Sequence, residues 1–282
     1  MVYDDTFNAE FYRSLSLFRM NLRMRLAAGA NGGRKSNAKG SSVEFSDFRE
    51  YLPGDDIRRI DWNAYARFDR LFIKLFMEEK EGLFRIYLDG SASMNFGENS
   101  KIVLAKRIAA ALSYCILDHS DRVILNFLKD DRCETFKGVT GKQGFSKITD
   151  NLSLMEPAGA NDLLKSICSQ DIKLRGMSIV ISDFYTEHLE DVIKYLAHKK
   201  QEIFLIQVLS KEELHPELSG TFSLIDSENG SNIKVTGSSS LEKDYDAAKE
   251  RFLKKIEGLC KKYGAKYVLA NTENSYETIL RG

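Results

Sequence analysis

Short apolar strand candidates alternating with longer helical segments predict an α/β fold. The expected form is a doubly wound, mainly parallel sheet with one antiparallel edge strand, preceded by an appended N-terminal helix and β region. Three observations carry this expectation. From residue 83 onward "LFRIYLD", "RVILNFL", "MSIVISD", "EIFLIQVL" and "AKYVLA" recur between helical candidates near 99–118, 143–154, 161–171, 187–200 and 241–263. The stretch "ILNFLKDDRCETFKGV" breaks that rhythm as a hairpin turning at Lys129-Asp130-Asp131, which supplies the antiparallel edge. Hydrophobic residues make up 43% of the 282-residue chain, enough for a packed core.

The elements before and after this core follow in order. Phe7, Phe11, Leu15, Phe18, Leu22 and Leu26 recur at spacings of three and four, the stripe of an amphipathic helix that needs a partner surface. "AAGANGGRKSNAKGSS" offers no core residues and predicts a mobile loop, whose Arg34, Lys35 and Lys39 suit either solvent or an acidic group or phosphate. "SVEFSDFREYL" and "RLFIKLFMEE" alternate as strands. Between them lies the charged stretch "PGDDIRRIDWNAYARFD", which holds the chain's single tryptophan and opens on a Pro53-Gly54 turn. "TFSLIDSENGSNIKVTG" predicts a second hairpin, inserted near 221–237 around an Asn-Gly turn. Two regions result: an N-terminal extension over 1–82 and an α/β domain over 83–282.

The totals remove several function classes. Lysine and arginine number 41 and so do aspartate and glutamate, so the chain lacks the basic field of a general nucleic-acid binder. Cys115, Cys133, Cys168 and Cys260 form no CxxC pair and are expected to be reduced, mostly buried thiols. The acidic start "MVYDDTFNAEF" has no apolar signal core, and "IAAALSYCIL" is far too short to span a bilayer. The expectation is a cytoplasmic protein with no membrane span.

The chemistry concentrates at strand ends. In "FRIYLDGSASMNFG" an apolar run stops at Asp89, and Ser91 and Ser93 follow at intervals of two; in "IVISDF" a second strand ends at Asp183. Open α/β sheets bind ligands beyond the carboxyl ends of their strands, so both carboxylates are expected in one crevice. Carboxylates with hydroxyls form a hard-oxygen set for Mg²⁺ above all, with Mn²⁺ or Ca²⁺ as alternatives, and do not suit zinc or copper. The plainer alternative is that each aspartate caps a following helix.

Two resemblances extend this reading. "DGSAS" resembles the Asp-x-Ser-x-Ser signature of von Willebrand factor A-type domains, where those residues form a metal-ion-dependent adhesion site completed by a threonine and an aspartate from two other loops. The resemblance implies Asp89, Ser91, Ser93 and Asp183 as metal ligands and puts Asn161 of "PAGANDLL" in the threonine's place, where a carboxamide stands for a hydroxyl. Upstream, Arg49, Tyr51, Pro53, Gly54, Asp55, Asp56, Arg58, Ile60, Asp61, Trp62, Ala66 and Arg67 match in order the signature of a bacterial domain family of unknown function, number fifty-eight. The likeness to that family runs from about residue 40 to the end and includes the "LIDSENGSNIKVTG" hairpin and "AKYVLANT" strand. Membership implies a von Willebrand A-like core, a MoxR-type AAA+ ATPase as partner, and an adaptor role in assembling or activating client proteins. The charged motif itself suits an ion-pair network through Arg58 and Arg67 that fixes the appended sheet to the core, with Trp62 as its apolar anchor; the alternative is a partner-binding face.

Three functions follow. The first is a metal-dependent protein-binding adaptor in which a client's acidic residue completes the cation's shell. The second is a metal-dependent hydrolase or phosphatase, since strand-end aspartates also serve as nucleophiles. Against it, Ser91 stands where an Asp-x-Asp phosphatase needs its second acid, no GxSxG or Walker loop occurs, and His119, His188, His198 and His215 lie outside the strand-end motifs. The third is a metal-free scaffold.

Overall fold

A computed structural model describes residues 5–15, 43–78, 81–97, 100–216, 220–225 and 232–281. The chain divides into two compact units, Met1–Gly29 with Gly82–Gly282, and Ala30–Glu81. Residues 9–15 are helical (α1), and Phe11 and Leu15 are buried in the core of the larger unit. The start of the chain thus belongs with the α/β unit and not with the extension, because its apolar stripe finds cover there. The expected loop carrying Arg34, Lys35 and Lys39, and the rest of the N-terminal stripe, lie outside the described residues.

The larger unit is a mixed α/β fold around a mostly parallel sheet. Its strands are β3 (Leu83–Asp89), β4 (Arg122–Lys129), β5 (Arg132–Thr135), β6 (Val139–Thr140), β7 (Gly176–Ser182), β8 (Gln201–Leu209) and β11 (Lys266–Asn271). They run in the order β11-β8-β7-β3-β4-β5, parallel from β11 to β4, with β5 and the short β6 both antiparallel to β4. The expected hairpin edge is therefore present, and β6 lengthens it.

Alternation along β3 explains the layers. Phe84, Ile86 and Leu88 join one core cluster with Ile108, Ala109 and Leu112 of α3 (Lys101–Asp118). Tyr87 joins the other cluster, with Val192, Ile193 and Leu196 of α6 (Leu189–His198). Successive strand residues point to opposite faces, so a strand apolar throughout needs helices on both. Ile86 and Leu88 are fully buried, each contributing about 2 kcal/mol of transfer free energy.

Among the described residues this unit also has, besides α1, α3 and α6, the helices α4 (Phe145–Leu154), α5 (Leu163–Cys168), α8 (Ser239–Tyr263) and α9 (Tyr276–Arg281), with a single turn α7 (Lys211–Leu214) after β8. The inserted hairpin is present as β9 (Thr221–Ile225) paired with β10 (Asn232–Thr236); its Asn-Gly turn lies outside the described residues. All four cysteines are free, and only Cys115 and Cys260 are buried.

In the smaller unit β1 (Val43–Glu50) pairs antiparallel with β2 (Phe72–Glu78), and the charged stretch between them folds as a turn followed by α2 (Trp62–Phe68). Gly54 has φ +107°, the conformation its turn needs and a side chain resists. Arg49 grips Asp55 with two hydrogen bonds at 2.8 and 2.7 Å, Lys74 pairs with Asp61 at 3.2 Å, and Arg70 with Glu50 at 3.0 Å. Asp61 also caps α2, accepting from the amides of Asn63 and Ala64. The ion-pair network is real, yet its members differ from those expected: among the described residues Arg58 and Arg67 have no carboxylate partner, and Trp62 is 64% exposed, its ring meeting only that of Tyr65 edge-on. The acids of the motif had nearer cations on the adjacent strands.

Candidate functional site

The chain leaves β3 toward β4 on one side, while β7 and β8 lie on the other, so the crevice between the ends of β3 and β7 is the topological switch point of the sheet. β3 and β7 pair in parallel with Leu88 beside Ile181, which brings Asp89 next to Ser182 and Asp183. Gly90 lets the loop after β3 leave closely over β4: its amide donates to the Leu128 carbonyl at 2.8 Å, and a Cβ there would lie 2.5 Å from the Phe127 ring. The 3₁₀ turn Ala92–Asn95 then carries Ser91 and Ser93 back over the crevice.

The oxygens form one connected chain. Ser93 Oγ donates to Asp183 Oδ2 at 2.7 Å and lies 2.9 Å from Ser91 Oγ. Asp89 Oδ1 accepts from the Ser91 amide at 3.0 Å and from Asn161 Nδ2 at 3.2 Å, and Asp89 Oδ2 accepts from Ser182 Oγ at 2.6 Å. Asp89, Ser91 and Asp183 are all buried. All five residues expected at the site therefore meet. Neither aspartate caps a helix: Ser91 and Ser100 occupy the cap positions after β3, and His188 the one before α6. Each aspartate does hold one local amide, Asp89 that of Ser91 and Asp183 that of Tyr185, but their remaining contacts converge on the crevice.

Asn161 departs most from a ligand's pose. Its amide nitrogen faces Asp89, and its carboxamide oxygen accepts from Ser166 Oγ at 2.6 Å. In this orientation it holds Asp89 in place; a ligand role requires the amide turned over.

The central group that sequence reasoning missed is Lys101. It is the first residue of α3, its side chain is wholly buried, and its ammonium lies 2.8 Å from Asp183 Oδ2 and 2.7 Å from Glu213 Oε1. The Tyr185 and Phe96 rings lie 5.6 and 6.0 Å from that nitrogen. Glu213 is fixed by a capping box in which its carboxylate accepts from the Ser210 amide while Ser210 Oγ accepts from the Glu213 amide. A signal was present: a lysine in the first turn opposes the helix dipole, and here an apolar run follows it. Ser182 was missed for a different reason, since a serine beside a strand-end aspartate reads as a strand residue.

The charges do not balance. Asp183 and Glu213 share the single Lys101 ammonium, and Asp89, close enough to Asp183 to feel its charge, has no cation of its own among the described contacts. Burial and the nearby Asp183 raise the Asp89 pKa above its ordinary value, against the pull of Ser182, Ser91 and Asn161. Burial likewise raises Glu213, although Lys101 favours its charged form. After Asp183 the chain turns sharply through Phe184, a buried residue with φ +59°. An aromatic residue in that conformation is strained, and such strain gathers at functional sites. Among the described residues no group of three or more His, Cys, Asp or Glu side chains is placed to hold a metal ion, so any cation here would depend on hydroxyls.

Comparison with known proteins gives relatives without established roles. An uncharacterized protein of Mycobacterium bovis is 25% identical over 238 residues, covering 82% of this chain and 75% of its own length. Uncharacterized proteins from two strains of Mycobacterium tuberculosis match to the same extent. Among solved structures, BatB of Bacteroides thetaiotaomicron aligns at 16% identity with a TM-score of 0.42, over 71% of this chain and 95% of that one. An aerotolerance-related membrane protein of Bacteroides fragilis aligns at 15% and 0.43 over the same shares. An uncharacterized membrane-spanning protein of Vibrio fischeri aligns at 12% and 0.22, over 71% of this chain and 94% of that one.

These descriptions correct one expectation. The expected cytoplasmic location is not upheld: two of these structural neighbours are described as membrane proteins. What holds for this chain is narrower: no helix among the described residues is long and apolar enough to cross a membrane. The family model that matches covers residues 47–254, so the chain belongs to the family described as protein of unknown function DUF58.

Proposed function

We propose that this protein is a metal-dependent protein-binding adaptor with a von Willebrand A-type core. Asp89, Ser91, Ser93 and Asp183 would hold a divalent cation, Mg²⁺ before Mn²⁺ or Ca²⁺, and Asn161 would join them only with its amide turned over. The observation that carries the reading is the convergence of these oxygens on one strand-end crevice that contains more buried acid than base. A cation there offsets that excess, and its open coordination position accepts a carboxylate from a client protein. The chain's own residues orient the site: Ser182 and Asn161 fix Asp89, and Lys101 fixes Asp183.

A hydrolase is less well supported. Both Asp89 oxygens are occupied by hydrogen-bond donors, which leaves neither directed at an incoming substrate. The pairing with a MoxR-type AAA+ ATPase, and the assembly or activation of clients, rest on the family resemblance alone.

Two experiments test the reading. Ser93→Ala weakens Mg²⁺ binding and leaves cooperative unfolding intact; loss of cooperative unfolding would instead make Ser93 a structural group. Purified chain should co-purify with a MoxR-type ATPase in Mg²⁺ and lose it in chelator, whereas metal-dependent turnover of phosphoesters that vanishes in Asp89→Ala would replace the adaptor with an enzyme.

A further inference from the structure

A second, separate surface is offered by the smaller unit. Leu52, Ile57, Trp62 and Phe68 are each more than 60% exposed, at 61, 64, 64 and 66%. Trp62, Tyr65 and Phe68 are spaced by three along α2, which sets them on one side of that short helix. Large apolar groups gathered this densely in solvent mark an interaction surface, whereas isolated ones do not. Beside them a cavity of about 570 Å³ is lined by Phe48, Asp61, Asn63, Arg67, Phe68 and Phe72.

The charges around this face indicate its partner. Asp55, Asp61 and Glu50 are consumed by Arg49, Lys74 and Arg70. Asp56 accepts from the Arg58 amide, and Asp69, the exposed C-cap of α2, is the other carboxylate here without an ion pair among the described residues. Arg58, Arg59 and Arg67 are exposed, and none has a carboxylate partner among the described residues. What remains for an incoming molecule is exposed aromatic rings, with Arg67 beside Phe68 at the cavity, and guanidinium groups that have no carboxylate partner among the described residues, the residue types that dominate binding hot spots. We propose that this face docks an acidic segment of a partner protein, whose carboxylates pair with Arg58, Arg59 and Arg67 while its apolar side chains cover Trp62 and Phe68. A bidentate guanidinium–carboxylate pair beside a buried ring supplies both direction and affinity. The proposal is independent of the strand-end crevice and of any metal there.

Trp62 is the only tryptophan in the chain, so its fluorescence reports on this face alone. The full chain is used to select from a displayed library of random short peptides, with Phe68→Ala chain as the counter-selection. Enriched peptides should be rich in aspartate or glutamate with interspersed leucine or phenylalanine. Synthetic versions should shift Trp62 emission to the blue and shield it from acrylamide. Arg67→Glu should weaken them by roughly tenfold or more, an effect the exposed position keeps separate from folding. Enrichment of neutral or basic peptides, or of none, would overturn the proposal. So would shielding by anionic phosphatidylglycerol vesicles but not by acidic peptides, which would make the face a membrane contact. Trp62 already shielded in the free chain at every dilution would mean the chain covers the face itself, and shielding that grows with protein concentration alone would mean a second copy does; either result excludes the proposed partner.

Discussion

The strand-end crevice and the α2 face use similar side chains in opposite ways. In the crevice a lysine and two aspartates are buried beside a half-buried glutamate, and each is held by named partners. On the α2 face three arginines and several large apolar groups stand in solvent. The first arrangement stores its interactions inside the fold; the second leaves them for another molecule. Substitutions should therefore damage stability at the crevice and leave it nearly unchanged at the face.

The sharpest test of that contrast is Lys101→Met. It leaves the buried Asp183 and the half-buried Glu213 without their shared cation, and urea unfolding should show a loss of about 3–5 kcal/mol. Phe68→Ser, at an exposed position, should change stability by no more than about 0.5 kcal/mol. Equal losses from the two would erase the distinction between the regions. A smaller effect is expected from Ser182→Ala, which removes the 2.6 Å donor to Asp89 Oδ2 and should cost about 1–3 kcal/mol in the same assay.

Much of the sheet was legible because a buried parallel strand leaves a plain mark. The runs "LFRIYLD" and "MSIVISD" are apolar almost to their ends, and the aspartates that finish them face one crevice. The oxygen set was legible for the same reason, since β3 and β7 had to be neighbours for both carboxylates to meet. Lys101 was not, because its role depends on Glu213, more than a hundred residues away, reaching the same point through α7. At the α2 face the preferred reading of the motif, with Trp62 as anchor, comes from its composition. Tryptophan in a charged motif suggests an anchor, but its ring is 64% exposed while Asp61 and Lys74 pair with each other. Periodicity fixes which face of an element is buried only when the element is long, and α2 has two turns.

The smallest effect lies on the rim, at Glu190. Hydrogen bonds from Lys262 and Tyr263 lower its pKa to about 2, from an ordinary 4.5. A carboxylate with a lowered folded pKa contributes stability that is present above pH 4.5 and lost as the pH falls through about 2. Wild type should therefore exceed Glu190→Gln slightly at neutral pH, with the gap closing across that window in thermal melts. A gap independent of pH would show that the Lys262 and Tyr263 contacts do not persist in solution.

Calorimetric titration of Mg²⁺, repeated with Mn²⁺, into wild type and Asp89→Ala tests the central claim most directly. A saturable site in wild type that disappears in the variant is the predicted result. Identical heats from both proteins would contradict it, and Asp89, Ser91, Ser93 and Asp183 would then be a hydrogen-bonded closure of the sheet.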